Sequence, residues 1–309
     1  MEQISITDPI GLAMERVRQV LFSPFDLGKW FVLGFCAWLA GLGERGGGGR
    51  FNSSSGSNSN RGDIHQQLEH AHNYLLQNLY WIVPLAIFLV TFCLALWMLF
   101  IWLNSRGKFM FLHCVALNRA DVVEPWNRFG EIANSLFWFR FVLGLIGMVI
   151  MLPLLVLGIL SAIPMFRNDA WTFVGIMVLI GLGIAMVLIG IFFLLIRKLT
   201  TDFVVPIMFL RGSRCLAAWS EFRQLLGANF GQFVLYLLFQ LVISIVIGMM
   251  VLVVVIVTCC IAGCLLSIPY LGTVLFLPVI VFKRAYSLYY LAQYGPAYNV
   301  FQPAAATSP

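Results

Sequence analysis

Long apolar segments and shorter mixed segments follow one another along this chain in a recurring order. In the stretch Arg197 to Leu241, two cations end a long apolar run, a mixed segment follows, and a second apolar run begins. Apolar side chains recur at helical spacing in the mixed segment (Leu216, Trp219, Phe222), with polar residues on another face. This periodicity predicts an amphipathic helix that lies between two membrane spans.

Similar units occur at residues 9–33 and 119–142, and we call the amphipathic part of each unit an elbow helix. The predicted elbow helices cover residues 9–22, 125–137 and 213–228. Their sequences partly match, since Arg18-Gln19-Val20-Leu21 aligns with Arg223-Gln224-Leu225-Leu226 and Trp126-x-x-Phe129 with Trp219-x-x-Phe222. Three units, each an elbow helix followed by two spans, predict a quasi-repeated membrane protein.

Long apolar runs, several of which lack any charge, predict six transmembrane helices in three hairpins. The predicted spans are about 27–43, 80–103, 138–160, 171–196, 230–257 and 269–290. The chain is 61% hydrophobic and 10% charged, far from the composition of a soluble domain. Since such runs are too long for barrel strands, the predicted fold is all-α and polytopic. It forms one transmembrane domain over residues 1–300, with a disordered tail over 301–309.

The N-terminal region has no pattern of a cleavable signal peptide, because the first apolar run starts near Leu27. We expect that run to be an uncleaved anchor. In the predicted topology, fifteen of the 19 Lys and Arg fall on the side that holds both termini. The four on the opposite side are Arg45, Arg50, Arg61 and Arg167. The positive-inside rule therefore predicts cytoplasmic termini, and the charge of +6 reflects topology rather than nucleic-acid binding.

Residues 44–62 are rich in Gly, Ser and Asn, which predicts a flexible linker. The helix predicted after it carries a ligand-rich cluster (Asp63, His65, Glu69, His70 and His72). A solvated helix face is the favoured interpretation of this cluster, and a weak divalent-metal site is the alternative. Cys259, Cys260 and Cys264 lie together near a predicted hairpin tip, where packing and a disulfide are the two alternatives.

Three segments carry a resemblance: VVPIMFLRGSRCLAAWSEFRQLLGANFGQFVL, the start ITDPIGLAMERVRQVLFSPF and the ending FLPVIVFKRAYSLYYLAQYGPAY. They resemble an uncharacterised family of bacterial multi-spanning membrane proteins. The first segment is also similar to the membrane domain that accompanies some glycerophosphodiester phosphodiesterases. The resemblance implies a bacterial plasma-membrane protein and supplies no catalytic residues. The soluble phosphodiesterase domain is not in this sequence, so that activity is not expected.

Catalytic motifs and cofactor-binding motifs are not found in the sequence, so we expect neither enzymatic activity nor a cofactor or metal. No ionisable residue falls at the centre of a predicted span, which disfavours ion-coupled transport. Two functions remain: a lipid-interacting scaffold or assembly factor, and a passive channel or transporter for an uncharged or amphiphilic substrate. Membrane lipids are the expected partners, nucleic acid is not, and a homo-oligomer stays open.

The basic elbow helices suggest where anionic lipid headgroups bind. The candidate headgroup residues are Arg16, Arg18, Arg128, Arg214 and Arg223. For the alternative function, broken helices at Pro84, Pro206 and Pro278 would form the pathway. A third interpretation is that the elbow helices only anchor the fold.

The predicted topology places the linker outside the cell, and labelling tests this. We expect an Asn58→Cys variant to react with a membrane-impermeant maleimide on intact cells. A Ser308→Cys variant is the control and should react only after the membrane is permeabilised. Protection of position 58 in intact cells would contradict the topology.

Overall fold

The computed structural model describes residues 5–42, 79–167, 173–258 and 268–301. Within these ranges the ordered elements are helices and no strand occurs, which confirms the all-α class. The helices are α1 (Asp8–Val17), α2 (Leu27–Gly41), α3 (Leu79–Leu117), α4 (Val123–Arg128), α5 (Gly130–Arg167), α6 (Phe173–Leu199), α7 (Val205–Arg211), α8 (Cys215–Ala228), α9 (Phe230–Val257), α10 (Pro269–Leu275) and α11 (Leu277–Ala292). π-Helical turns at Arg18–Phe22 and Thr200–Val204 follow α1 and α6.

Four helices in the described ranges are long and apolar enough to cross a membrane: α3, α5, the α6–α7 segment and α9. The other two predicted spans are shorter. Helix α2 has 15 residues, and the segment from residue 269 divides into α10 and α11 at Phe276. The structure therefore supports a helical membrane protein, whereas six spans and a threefold hairpin repeat stay predictions.

Burial changes abruptly along each long helix. In α3 the side chains from Tyr80 to Phe100 are mostly exposed and apolar, whereas those from Phe109 to Ala116 are buried. This helix has 39 residues, so it is about 58 Å long, well beyond the ~30 Å hydrocarbon core of a bilayer. The exposed apolar part suits lipid, and the buried end belongs to a region that we call the packed layer.

The packed layer contains the buried ends of the long helices together with α1, α2, α8 and α11. Its centre is an aromatic cluster around Phe203, in the second π-helical turn. The Phe203 ring lies 5.3 Å from Phe222, 5.1 Å from Phe233, 4.9 Å from Tyr236 and 6.2 Å from Tyr290. These partners belong to α8, α9 and α11, so one ring joins three helices.

Two boundaries differ from the prediction. The second elbow, predicted over 125–137, ends as α4 at Arg128, and residues 130–137 belong to the continuous helix α5. The apolar stripe of the predicted elbow continues into the apolar run of the next span, and no residue between them stops a helix. The helix therefore continues past residue 137 without a break. Similarly, α3 continues through Pro84, whose missing hydrogen bond falls in the first turns of the helix.

The other boundaries agree more closely. The third elbow forms as α8, and Gly212 precedes it with a left-handed φ of 62°. The break predicted at Pro278 occurs, because α11 begins at Leu277. The linker at 44–62 and the tail from residue 302 lie outside the described residues, as do the tips at 168–172 and 259–267.

Hydrogen bonds join the residues before α1 to α11 and the residue that follows it. The Ser5 N–H donates to Gln293 Oε1 at 2.8 Å, and Gln293 Nε2 donates to the Ser5 carbonyl at 2.9 Å. The Tyr286 hydroxyl donates to the Ile6 carbonyl at 3.2 Å. Helix α1 packs against α11 next to these bonds, so the first elbow is held by the last helix.

Glycine allows two close approaches to α2. A Cβ atom on Gly107 of α3 would lie 2.6 Å from the backbone nitrogen of Ala40 and 2.6 Å from the carbonyl carbon of Leu39. A Cβ on Gly34 of α2 would lie 2.6 Å from Val274 Cγ2. The first approach is to backbone, which cannot rotate away, so α2 and α3 pack this tightly only with glycine at 107.

We predict that Gly107→Ala lowers thermal stability in detergent. Separating α2 from α3 should cost about 1–3 kcal/mol, the usual cost of overpacking a core. Gly248→Ala on α9 is the matched control, since nothing lies within 4 Å of its Cβ position. Its melting temperature should stay the same or rise, because alanine favours a helix over glycine. Equal melting temperatures for Gly107→Ala and wild type would contradict the observed packing.

Candidate functional site

Two cavities that each contain charged side chains lie where the exposed apolar helices enter the packed layer. The inner cavity has a volume of about 180 Å³ and lies between α2, α3, the second π-helical turn and α11. Its charged lining residues are Lys108, Asp202, Lys283 and Arg284. Lys108 Nζ donates to Thr201 Oγ1 at 2.5 Å, and Arg284 Nη1 donates to the Thr201 carbonyl at 2.6 Å. Both cations are therefore attached to the π-helical turn.

Asp202 begins a chain of buried polar contacts that leads from the inner cavity into α9. Its carboxylate pairs with Lys198 Nζ at 2.8 Å and accepts a hydrogen bond from the Tyr236 hydroxyl at 3.1 Å. Gln240 Nε2 donates to the Tyr236 hydroxyl oxygen at 3.2 Å. Burying a polar group is costly unless hydrogen bonds satisfy it, and these partners occupy the Asp202 carboxylate. The chain thus fixes α9 to the turn through polar contacts.

The outer cavity is a groove of about 310 Å³ between α3, α5 and α6. Its apolar walls include Trp97, Phe100 and Phe193, and two cations, Arg140 and Arg197, lie at one end. Among the described residues that line the groove, none is acidic. An apolar groove with a cationic end can accept an amphiphilic molecule that carries negative charge.

Arg140 is held at its place by Asn104. The Arg140 Nη1 group donates to Asn104 Oδ1, and only 8% of Arg140 is exposed. Asn104 Nδ2 in turn donates to the carbonyls of Ala40 and Leu42, each at 2.6 Å. These carbonyls lie at the C-terminal end of α2 and lack helical partners. They fix the Asn104 side chain, which in turn fixes Arg140.

Arg16, one of the five headgroup candidates, contacts protein rather than open space. Its Nε and Nη2 atoms donate to the Val115 carbonyl at 3.1 and 2.9 Å, and Nη2 donates to the Ala116 carbonyl at 2.5 Å. The guanidinium also lies 5.1 Å from the centre of the Phe301 ring. Burial lowers the pKa of this guanidinium, which still stays charged at neutral pH. Arg16 therefore caps the C-terminal end of α3.

The other four candidates, Arg18, Arg128, Arg214 and Arg223, are exposed. Arg128 makes a long ion pair with Glu124 at 3.9 Å, and such exposed pairs contribute little to stability. The apolar faces of the elbow helices are buried in the packed layer, as at Ala13 and Phe222. The elbow helices thus pack on protein with one face and present arginines on the other.

Sequence reasoning did not select the polar residues of the two cavities. Gln240 could have been found as an amide in the middle of an apolar run, four residues after Tyr236 and therefore on the same helix face. Lys198 and Asp202 also have the four-residue spacing of a helical ion pair. By contrast, nothing in the sequence pairs Asn104 with Arg140, which come from different helices.

The predicted ligand-rich cluster with His65, His70 and His72 lies outside the described residues, as do Cys259, Cys260 and Cys264. Within the described ranges no three His, Cys, Asp or Glu side chains come together as metal ligands. Cys36 and Cys114 are buried there as free thiols, with their sulfurs 4.0 Å apart.

Comparison with known proteins gives one match. No curated protein and no solved structure matches the chain, and no link to the membrane domains of glycerophosphodiester phosphodiesterases is found. The sequence model of one family matches residues 4–277, nearly the whole length. This agrees with the resemblance to an uncharacterised membrane-protein family, and the chain belongs to DUF7544, a family of unknown function.

Proposed function

We propose that this protein is a lipid-interacting scaffold or assembly factor of the bacterial plasma membrane. Its exposed elbow surfaces bind the anionic cytoplasmic leaflet. In this proposal α2 and the α10–α11 pair complete six spans with the four long helices, and both termini are cytoplasmic. The long helices fix the protein in the membrane, and the elbow helices lie in the interface.

The observation that carries the proposal is that arginines and exposed apolar side chains occur together on the elbow segments. Large apolar side chains are exposed in or next to each elbow helix. Leu12, Met14 and Phe22 lie within the first and Phe25 follows it, Val123 precedes the second, and Leu216 lies within the third, which Phe230 follows. The exposed arginines belong to the same segments. A surface of this composition suits the boundary between acyl chains and headgroups.

In this proposal the headgroup residues are Arg18, Arg128, Arg214 and Arg223. Arg16 is excluded because carbonyls of α3 accept its hydrogen bonds. Glu221 on α8 does not cancel the nearby arginines, since it binds Arg211 Nη2 at 3.0 Å and the Tyr298 hydroxyl at 2.9 Å. Each basic side chain near an anionic surface contributes about 1 kcal/mol of binding free energy.

The passive channel or transporter remains the alternative. The inner cavity does not favour an uncharged substrate, because its volume is only about 180 Å³ and four charged side chains line it. Of the three predicted helix breaks, Pro84 lies within continuous helix. These observations count against a channel for an uncharged substrate, and lipid interaction stays the proposed function.

Replacing the four arginines tests the proposal. We predict that Arg18, Arg128, Arg214 and Arg223→Gln together lower the share of anionic phospholipid that co-purifies in mild detergent. The reason is the loss of about 1 kcal/mol per removed charge. Quantitative lipid mass spectrometry measures the ratio of anionic to zwitterionic lipid.

The matched control removes four charges from the predicted opposite side, with Arg45, Arg50, Arg61 and Arg167→Gln. This variant should keep the wild-type lipid ratio. If both variants lose anionic lipid equally, net charge rather than the elbow surface decides lipid binding. If neither loses it, the elbow helices serve only to anchor the fold.

A further inference from the structure

The lining of the outer groove changes from polar to apolar in the same direction along each of its three helices. On every helix a polar residue lies one or two turns nearer the packed layer than an apolar lining residue. The pairs are Asn104 and Trp97 on α3, Arg140 and Gly147 on α5, and Arg197 and Phe193 on α6. A separation of seven residues corresponds to about 10 Å along a helix. The groove is therefore cationic at the packed layer and apolar toward the exposed part of the helices.

Two glycines of α5 border the apolar part of the groove and lie against its aromatic walls. A Cβ on Gly144 would lie 3.2 Å from the Trp97 ring, and a Cβ on Gly147 would lie 3.7 Å from the Phe193 ring. Larger side chains here would fill the space between α3, α5 and α6. The groove volume of about 310 Å³ is at the lower end of the ~300–1,000 Å³ of ligand pockets. It can hold one chain and part of a headgroup, but not a whole two-chain lipid.

The groove reaches the surface on the side of the exposed apolar helices. Phe100 lines it and is 42% exposed. A molecule can therefore enter sideways from the hydrocarbon region. Its charged end would then come to rest at the packed layer, in the orientation that a lipid of the same leaflet already has.

We propose that the outer groove binds one anionic amphiphile, with a carboxylate or phosphate at Arg140 and Arg197 and an acyl chain along Trp97 and Phe193. The guanidinium of arginine matches both oxyanions because its N–H groups form paired hydrogen bonds with two oxygens. The anchoring of Arg140 by Asn104 preorganises this end. The inference rests on the proposed function in one respect, namely that membrane lipids are the ligands, and it adds a defined site inside the protein.

Photolabelling tests the site. Two probes carry a diazirine in the acyl chain: a fatty acid and a phosphatidylglycerol. Purified full-length protein in nanodiscs is irradiated with each probe, and labelled peptides are identified by mass spectrometry. We expect labels on the groove walls, at residues 97–101, 143–147 and 193. Competition by the unlabelled fatty acid or by unlabelled phosphatidylglycerol shows which source of the anionic group binds.

Three variants make the test specific. Gly147→Leu fills the groove and Arg197→Gln removes an exposed cation, so each should lower groove labelling about ten-fold. Gly158→Leu is the control on the same helix, where nothing lies within 4 Å of the Cβ position, and it should label as wild type does. A diazirine probe of uncharged fatty alcohol should label the groove weakly.

Unchanged labelling in Gly147→Leu, or equal labelling by the alcohol and the acid, would overturn the proposal.

The variant that lacks the four elbow arginines separates the two proposals. If it loses bulk anionic lipid but keeps groove labelling, both proposals stand. If the groove variants label normally while that variant loses lipid, only the groove proposal fails. If the elbow variant keeps its lipid while Gly147→Leu loses the label, the groove stands without the elbow surface.

Discussion

Packing of the Phe203 ring is the interaction on which the rest of the structure depends. The ring sits in a π-helical turn and contacts aromatic side chains of α8, α9 and α11. Its neighbour Asp202 pairs with Lys198 and Tyr236. The wider π-helical turn, common at functional positions in helices, thus presents an apolar and an acidic side chain at adjacent positions. The turn therefore joins α6 to α7, α8 and α11.

The sequence predicts features that depend on neighbouring residues. The third elbow is found because its apolar stripe follows Gly212, and the break near Phe276 because Pro278 cannot continue a helix. The sequence pattern does not predict the end of α4 at Arg128, because the apolar stripe continues across this end without interruption. The contact of Arg16 with Ala116 spans 100 residues, so the pattern places Arg16 on a polar face but cannot show what lies opposite. The groove is missed for the same reason, since Asn104 and Arg140 become neighbours only when α3 and α5 pack.

The position of buried charge follows from the two environments of the chain. Lys108, Arg140, Asp202 and Arg284 are all buried, and all lie in the packed layer rather than in the exposed apolar parts. A charge facing lipid is costly, whereas a charge within protein can find oxygen and nitrogen partners. The packed layer therefore provides what the hydrocarbon region cannot, an interior where cations can meet a ligand. The charged part of each cavity lies there, next to an apolar surface.

The hydrogen bonds between Ser5 and Gln293 have a consequence for biosynthesis. The two residues are separated by 288 positions, and a chain emerges from the ribosome N-terminus first. Helix α1 must wait for nearly the whole chain before its packing partner α11 exists. During that time its buried face, with Ala13 and Val17, lacks the cover that α11 provides. An amphipathic helix in this state adsorbs to a membrane surface, so the nascent protein can hold its first helix on the bilayer until the last helix displaces the lipid.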